Sequence, residues 1–238
     1  MKELISSGLE ALGLTGSVPP DAAEKLAEYG RLLLEKNQVM NLTAIRDEAG
    51  VARLHMLDCA ALLPCADFSQ AHTLLDVGTG AGFPGLPLKI LLPQLDVTLL
   101  DSLNKRVDWL NEVSAQLGLT DVRAIQGRAE EKALEKSMRD SFDLVTARAV
   151  ADLRLLSELC LPFVKVGGRF LSMKSVDSDQ ELDQAAHAIK LLGGRVRDVK
   201  DYAIPGTEVT HRLVIVEKVA PTLKGYPRRW AKIQKAPL

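Results

Sequence analysis

From residue 73 onward, short apolar segments of strand length alternate with segments of helical periodicity. This alternation predicts strands over 73–77, 97–101, 122–126, 142–148, 167–174, 194–202 and 211–219, and helices over 85–92, 105–117, 179–192 and up to about 161. Repeated strand–helix–strand units form a doubly wound, mostly parallel sheet, so the predicted fold class is α/β. Only "AIPGTE" separates the last two strands, and we therefore expect a hairpin with one strand antiparallel.

The residues before this region are predicted to be helical. Apolar side chains recur at helical spacing over 21–36, after two prolines, and a turn is expected over 36–43. A second helix, over roughly 48–63, begins after Asp47 as its N-cap and ends at Pro64. We therefore expect a helical segment of residues 1–65, packed on the core of an α/β domain of residues 66–238.

Charge and cysteine content exclude several classes of protein. The 30 Lys and Arg residues nearly balance 31 Asp and Glu residues, whereas a protein that binds bare nucleic acid by phosphates alone is normally basic. The tail, residues 218–238, is the exception, with six cations and no acid, and predicts a local polyanion contact. Three cysteines without CxxC spacing predict neither a disulfide framework nor a metal site.

The chain is expected to be a cytoplasmic protein. Its first residues, "MKELISSGLEALGL", lack the apolar core of a secretory signal. No apolar run approaches the roughly 20 residues that a membrane helix needs, so no membrane contact is predicted.

A cluster of glycines follows the first predicted strand, in "LLDVGTGAGFPG" (74–85). Gly80, Gly82 and Gly85 formally satisfy the dinucleotide fingerprint, so an NAD-dependent dehydrogenase is one candidate. A pyrophosphate needs backbone N–H donors, but Pro84 and Pro87 remove two donors at the helix entry, and Asp76 adds a negative charge. S-adenosylmethionine (SAM) has no phosphate and carries an ammonium and a sulfonium, which a carboxylate favours. The loop therefore predicts SAM, bound by Asp76, Gly78, Gly80 and Gly82, over NAD.

Two further positions fit the nucleoside of this cofactor. Asp101 ends the second strand and is placed to accept hydrogen bonds from both ribose hydroxyls. The backbone of Ala129 and the side chain of Glu130 follow the third strand and fit the amino edge of adenine. A solvated helix start is the other interpretation of this acidic pair. Seven strands that end in a hairpin are the outline of the Rossmann-like SAM-dependent methyltransferases.

The end of the fourth strand indicates the kind of acceptor. It reads "DLVTARAV", without the Asn/Asp-Pro-Pro-aromatic motif that methylates exocyclic amines, and no cysteine is placed as a nucleophile for pyrimidine C5. Guanine N7 offers an in-plane lone pair and needs alignment rather than a base. Arg148 then fits a clamp on the cofactor carboxylate or on RNA. It is the one catalytic candidate, with a positioning role. The alternative is a salt bridge at the end of the strand.

These segments resemble the bacterial 16S rRNA guanine-N7 methyltransferases, the RsmG or glucose-inhibited division protein B family. The resemblance is carried by "NLTAIRD" (41–47), "RLHMLDC" (53–59), "LLDVGTGAGFPGLPLKI" (74–90), "LLDSLNKRVDWL" (99–110), "GRAEE" (127–131), "TARAV" (146–150) and "YPRRWAKIQKAPL" (226–238). It implies SAM-dependent methylation of N7 on one guanosine near the decoding site, with 16S rRNA or the small ribosomal subunit as partner. We also expect a monomer. A methyltransferase of a small molecule or protein, and a SAM-binding regulator without catalysis, are the alternatives.

The resemblance also implies site residues. Its cofactor contacts are Gly78, Phe83, Asp101, Ser102, Ala129, Glu130 and Arg148, with Gly80 and Gly82 shaping the loop. Its RNA-side candidates are Asn41, Arg46, Arg53, His55, Asp58, Lys105, Arg106 and Lys174, to which we add Arg228 and Arg229 of the basic tail. Asn41 also fits a turn, and His55 with Asp58 also fits a surface ion pair. Two positions depart from the family: Cys59 replaces its usual serine, and "RRW" stands where many relatives have a Pro-Gly turn. Trp230 in this tail suits base stacking on single-stranded RNA.

Overall fold

The computed structural model describes residues 1–148 and 151–238, so the last two residues of the "TARAV" motif lie outside the described part. One seven-stranded sheet has the order β3-β2-β1-β4-β5-β7-β6. Its strands are β1 (Thr73–Val77), β2 (Asp96–Asp101), β3 (Val122–Gln126), β4 (Phe142–Arg148), β5 (Val164–Ser175), β6 (Gly194–Ala203) and β7 (Thr210–Lys218). Neighbours from β3 to β5 pair parallel, while β7 is antiparallel to both β5 and β6. The predicted α/β class, with its terminal hairpin, is confirmed.

Helices cover both faces of the sheet. Before β1 they are α1 (Lys2–Ala11), α2 (Ala22–Met40), α3 (Glu48–Val51), a π-helical stretch (Ala52–Leu57), α4 (Asp58–Ala60) and α5 (Leu62–Cys65). Between the strands lie α6 (Gly85–Leu91), α7 (Asn104–Gln116), α8 (Ala129–Lys132), α9 (Leu153–Cys160) with a 3-10 turn (Leu161–Phe163), and α10 (Asp179–Leu191); α11 (Trp230–Lys235) follows β7. Within the described residues, no helix combines the length and apolarity needed to cross a bilayer.

The turn in the N-terminal segment begins later than predicted. Helix α2 runs on through Met40, because the expected turn begins only at Asn41, which has a left-handed φ of 40°. Asn37 fixes that turn: its side-chain oxygen accepts from the backbone N–H groups of Leu42 (2.6 Å) and Thr43 (2.9 Å). The second predicted helix does begin after Asp47, whose carboxylate accepts from Gly50 N at 2.8 Å.

That second helix is not continuous α-helix. It changes to a π-helical turn at Ala52–Leu57 before two short α-helical pieces follow. A π-helical turn moves the side chains after it round the helix relative to the α-helical pattern, and such turns occur often at functional sites. Here it presents His55 and Asp58 together toward the end of β4.

Neighbouring residues of each central strand belong to opposite cores. Leu74 packs with the N-terminal helices, α6 and α7, whereas Leu75 packs with residues of α9 and α10. The first core joins the two predicted parts of the chain, since Leu26 and Leu33 of α2 are fully buried in it beside strand residues. The N-terminal helices thus form one face of the α/β layer and reach the carboxyl ends of the strands.

One carboxylate, that of Asp143, joins β4 to the first residues of β1, at the end of these strands away from the glycine loop. Asp143 Oδ2 accepts from the backbone N–H groups of His72 and Thr73, each at 2.9 Å, and from the Thr73 hydroxyl at 2.9 Å. Thr73 Oγ1 in turn accepts from Asp143 N at 3.0 Å. Although burial opposes it, the ion pair with Lys165 together with these bonds lowers the pKa of Asp143 to about 2. This clasp joins β1 to β4 far from the glycine loop.

Replacing Asp143 with alanine should lower the free energy of unfolding by about 1–3 kcal/mol, because two part-buried backbone N–H groups lose their acceptor. The folded-state pKa lies below the unfolded one, so the contribution is present above pH 4 and is lost as pH falls toward 2. Urea unfolding of both proteins at several pH values measures this. A difference that grows on acidification contradicts it, and cofactor affinity serves as the control that stays unchanged.

Candidate functional site

A cavity of about 470 Å³ lies at the carboxyl ends of β1, β2 and β4. This volume lies in the range of small-molecule sites, and the position is where doubly wound sheets bind ligands. Its walls comprise Leu42, Thr43, His55, Val77–Ala81, Phe83, Leu100–Ser102, Arg106, Gly127–Glu130, Arg148, Leu159 and Trp230. The N-terminal helices, the glycine loop, the strand ends and the C-terminal segment therefore all contribute to one site.

The glycine loop needs glycine where it approaches its neighbours. Gly82 has a φ of 110°, and a Cβ there would lie 2.6 Å from the Tyr29 hydroxyl. That hydroxyl donates to the carbonyl of Ala81 at 2.5 Å and so ties the loop to α2. Substitution at Gly82 would strain the backbone and displace this contact.

Asp76 organises the loop from behind. Its carboxylate is fully buried and accepts from the hydroxyls of Thr79 (2.6 Å) and Thr146 (2.9 Å) and from Gly85 N (3.0 Å). Burial raises the pKa of Asp76 to about 6, against the opposing effect of these hydrogen bonds. The residue was predicted to face the cofactor, but the structure places its carboxylate outside the cavity wall, where it fastens the loop to β4.

Asp101 lies in the cavity wall at the end of β2, as predicted. Its carboxylate accepts from Gly80 N (2.9 Å), Leu103 N (2.9 Å) and Arg106 Nη1 (3.3 Å). A carboxylate can accept about four hydrogen bonds, so these contacts leave capacity for a ligand hydroxyl. Arg106, an RNA-side candidate, lies instead against the acid that was predicted to bind ribose.

The predicted adenine end also lines the cavity. Ala129 and Glu130 form its wall beside Gly127, directly after β3. Glu130 is 7% exposed and lines the cavity. A buried acceptor that faces a cavity is suited to a ligand that supplies a donor.

Arg148, at the end of β4, is held by the π-helical stretch. Its Nη1 donates to Asp58 Oδ2 (3.1 Å) and to the carbonyl of Leu54 (3.3 Å), and its Nη2 donates to His55 Nδ1 (3.0 Å). The guanidinium carbon also lies 4.8 Å from the centre of the Phe83 ring. Arg148 therefore fills the end of the cavity away from Glu130.

Two residues assigned to RNA thus belong to the support of Arg148. His55 is 8% exposed and Asp58 is 1% exposed, so their contacts are internal. Because arginine only donates, His55 Nδ1 must be the acceptor, and its Nε2 carries the proton and donates to Thr43 Oγ1 at 2.7 Å. Burial, and then the charge of Arg148, lower the pKa of His55 to about 4.

Three residues of this network were not identified from the sequence. Thr43 binds His55, while Tyr202 and His211, paired across the β6–β7 hairpin, donate to Asp58 Oδ1 at 3.0 Å and 2.8 Å. The hydrogen bond to Asp58 raises the pKa of His211. Thr43 could have been found, since it lies inside the "NLTAIRD" motif. No local signal connects the hairpin to Asp58, about 150 positions away in the chain.

The other RNA-side candidates divide by exposure. Asn41, Arg46, Lys105 and Arg229 are exposed, Ser102 is an exposed part of the cavity rim, and Arg53 is half-buried. Lys174 pairs with Glu181 at 2.5 Å and donates to Ala151 O, and Arg228 pairs with Glu158 at 2.6 Å. In the described part of the chain, no group of three or more His, Cys, Asp or Glu side chains is arranged to hold a metal ion.

The pKa values of the two histidines in the network are expected to be shifted in opposite directions. His55 should stay neutral, as the Nε2–H tautomer, down to pH 5, whereas His211 should protonate above its ordinary range. Because the folded state lowers the His55 pKa, its contribution to stability is full above pH 6.5 and decreases toward pH 4. Long-range ¹H–¹⁵N spectra measure both sites. Asp58→Asn is the control and should lower the His211 pKa; a His55 that protonates above pH 6 contradicts the network.

Comparison with known proteins agrees with this geometry. Residues 22–210 match the family described as GidB, rRNA small subunit methyltransferase G. A "Ribosomal RNA small subunit methyltransferase G" of Clostridium beijerinckii is 45% identical over 236 residues, which cover 99% of this chain and 98% of that protein. One of the same name from Alkaliphilus metalliredigens is 44% identical over 237 residues, covering 100% and 98%.

Solved structures support the fold. The mitomycin 7-O-methyltransferase MmcR superposes with a TM-score of 0.56 at 18% identity, over 80% of this chain and 60% of that one. MtNAS, solved in complex with MTA and tNA, gives 0.52 at 18% identity, over 83% and 71%. The family predicted from the sequence is therefore confirmed: the chain belongs to the rRNA small subunit methyltransferase G family.

Proposed function

We propose that this chain transfers a methyl group from SAM to N7 of one guanosine in 16S rRNA, near the decoding site. The observation that carries the proposal is one cavity whose wall contains Asp101 and Glu130 together with Arg148, which is held by residues of the N-terminal helices. Family membership makes the chain an rRNA methyltransferase and an enzyme that uses SAM, as the sequence predicted.

The amide groups of the glycine loop support SAM over a dinucleotide. Gly80 N donates to Asp101, Gly85 N donates to Asp76, and the N–H groups of Gly82 and Phe83 both donate to the carbonyl of Thr79. A pyrophosphate would need such N–H groups free. Because the loop uses them internally, it fits a ligand without phosphate, and the dehydrogenase alternative loses its anion site.

The residues fit SAM at each of its parts. Asp101 offers carboxylate oxygens to the ribose hydroxyls, and Ala129 and Glu130 offer acceptors to the adenine edge. Three of the five N–H groups of Arg148 bind the protein, which leaves donors for the cofactor carboxylate or the substrate. When bound, SAM supplies an electrophilic methyl group on a cationic sulfur. The protein supplies alignment and a cavity closed on the Arg148 side.

The side chains around Arg148 support N7 as the acceptor atom. Both ring nitrogens of His55 are bonded, and both carboxylate oxygens of the buried Asp58 accept hydrogen bonds from charged or buried donors, which disfavours either group as a general base. Cys59 and Cys160 are buried and do not line the cavity, and burial raises the pKa of both thiols. Among the described residues, the cavity thus offers neither a free base near Arg148 nor a thiolate nucleophile. Guanine N7 requires neither, because its lone pair lies in the plane of the base.

The substrate side is proposed to lie on the exposed cations around the cavity mouth. Arg46, Lys105 and Arg229 are exposed, and Arg106 lies at the mouth beside Asp101. With a net charge of −1, the chain gains little from phosphate attraction alone, which favours folded rRNA or the small subunit as substrate. We propose that the enzyme acts as a monomer in the cytoplasm.

The proposal is tested by mapping the methyl group. The protein is incubated with tritiated SAM and either bare 16S rRNA or 30S subunits from a strain that lacks the gene, and digested nucleosides are analysed by mass spectrometry. One 7-methylguanosine per 16S rRNA is expected. Label on an exocyclic amine or a ribose contradicts N7. Label in protein or small molecules supports the alternative methyltransferase, and SAM binding without any transfer supports the regulator.

Asp101 gives a separate test of the cofactor site. Asp101→Asn should weaken the binding of S-adenosylhomocysteine by about tenfold or more, because a charged acceptor for the ribose is lost. Isothermal titration measures the affinity, and the unfolding midpoint checks that the loop remains folded. The matched control is Asp108→Asn, since Asp108 is exposed on α7 and its side chain bonds only Asn104. Equal affinity for wild type and Asp101→Asn removes Asp101 from the site.

A further inference from the structure

Trp230 lines the same cavity as Asp101 and Arg148, although it belongs to the C-terminal segment. It is the first residue of α11, which packs on α9, and α9 packs in turn on α8. Leu159 of α9 and Ala129 of α8 line the cavity as well. Trp230 therefore belongs to the same cavity wall as residues of α8 and α9, the helices that follow β3 and β4.

Residues before and after Trp230 in the sequence are anchored to α9 and hold the indole in place. Two residues earlier, Arg228 binds Glu158 of α9 through its backbone N–H (2.8 Å), Nε (2.8 Å) and Nη2 (2.6 Å). Glu158 is 1% exposed, so this is a desolvated pair with bidentate geometry. Three residues later, Ile233 is fully buried in the core beside α9.

The segment leading to Arg228 is also anchored. Arg139 donates to the carbonyl of Tyr226 at 2.8 Å and to the carbonyls of Thr222 (2.9 Å) and Leu223 (3.2 Å). One guanidinium therefore binds three carbonyls of a stretch without regular secondary structure. Trp230 is thus presented to the cavity by a fixed segment.

We propose that Trp230 forms one face of the adenine pocket, with its indole packed against the base while Glu130 accepts from the exocyclic amine. An indole offers a large flat surface to a purine ring, and this one is partly exposed at the cavity. Glu130 supplies the edge acceptor that the buried carboxylate makes available. The inference rests on the proposed function, because it requires the adenosine of SAM in this cavity.

The same geometry argues against RNA as the primary contact of Trp230. A base-stacking platform for single-stranded RNA needs an open face on the outer surface, whereas this indole is part of a cavity wall with Leu159 and Glu130. Its exposed neighbours Arg229 and Lys232 remain available to RNA.

Titration calorimetry with S-adenosylhomocysteine measures the contact without turnover. Trp230→Ala should weaken binding about tenfold, and Trp230→Phe should weaken it less, because a smaller aromatic face remains. The same factor is expected for 5′-methylthioadenosine, which keeps the base and ribose but lacks the amino acid. Gln234→Ala is the matched control on the exposed side of α11 and should bind as wild type.

Fluorescence gives an independent readout, because the chain has only two tryptophans, Trp109 and Trp230. Trp109 is 3% exposed and does not line the cavity, so Trp109→Phe leaves Trp230 as the sole reporter. S-adenosylhomocysteine should quench this variant and leave the emission of Trp230→Phe unchanged. Unfolding midpoints confirm that each variant is folded.

The outcomes separate this inference from the function on which it rests. A wild-type chain that does not bind S-adenosylhomocysteine contradicts the cofactor site itself. Wild-type affinity in Trp230→Ala, with no quenching in Trp109→Phe, overturns the inference alone. Loss of rRNA binding in Trp230→Ala, with unchanged cofactor affinity, also overturns it and assigns the indole to RNA.

Discussion

The ion pair between Arg148 and Asp58 is the interaction on which the site depends. Asp58 is 1% exposed, and a buried charge of this kind is tolerated only with a partner and further hydrogen bonds. Its partners come from two distant parts of the chain: β4 supplies Arg148, and the hairpin supplies Tyr202 and His211. Any movement of the N-terminal helices relative to the sheet would therefore separate buried charges. The same contacts hold Arg148 in a fixed position in the cavity wall.

Two carboxylates, Asp76 and Asp101, engage the glycine loop in a different way. Asp76 and Asp101 both accept from amides of the glycine loop, at Gly85 N and Gly80 N respectively. A loop of the same sequence pattern can cradle a phosphate when those amides point outward and are free. Here they donate to carboxylates, so the amides are already satisfied inside the protein, and the negative charge of Asp101 in the cavity wall opposes an anion. The choice between phosphate and sulfonium ligands thus follows from the partners of the loop amides, and the glycine spacing alone does not determine it.

The sheet could be predicted almost residue by residue, because its signal is local. Strands β1, β3 and β4 have the predicted bounds, since each is a short apolar run between clear turn signals. The short helix α11 was not predicted, and α8 was indicated only by the alternative of a helix start at its acidic pair, because each spans fewer than two turns and is stabilised by packing on α9 and not by its own periodicity. The sequence likewise predicted ordinary α-helix for the π-helical stretch.

The roles of charged residues were the least predictable part. His55 and Asp58 have the i,i+3 spacing of a surface pair, and only tertiary structure shows that both contact Arg148. Arg228 looks like a tail cation in the sequence, but its partner, Glu158, lies in the apolar run "SELCLPF" about 70 positions earlier. A buried carboxylate within an apolar run is itself a signal, because such a group requires a partner from elsewhere in the chain.

The basic tail consequently has two kinds of cation. Lys218 is fully buried and donates to Asp140 at 2.9 Å, and Arg228 pairs with Glu158, so both cations form ion pairs within the protein. The other four, Lys224, Arg229, Lys232 and Lys235, are exposed. The internal pairs hold the tail against α9 and bring Trp230 to the cavity, while the exposed cations remain for a polyanion. Because one short segment carries both kinds of cation, the contacts that hold Trp230 in the cavity wall also fix the backbone that bears the exposed charges. Under the proposed function, cofactor binding and RNA docking would then share a structural support, even though they would use different side chains.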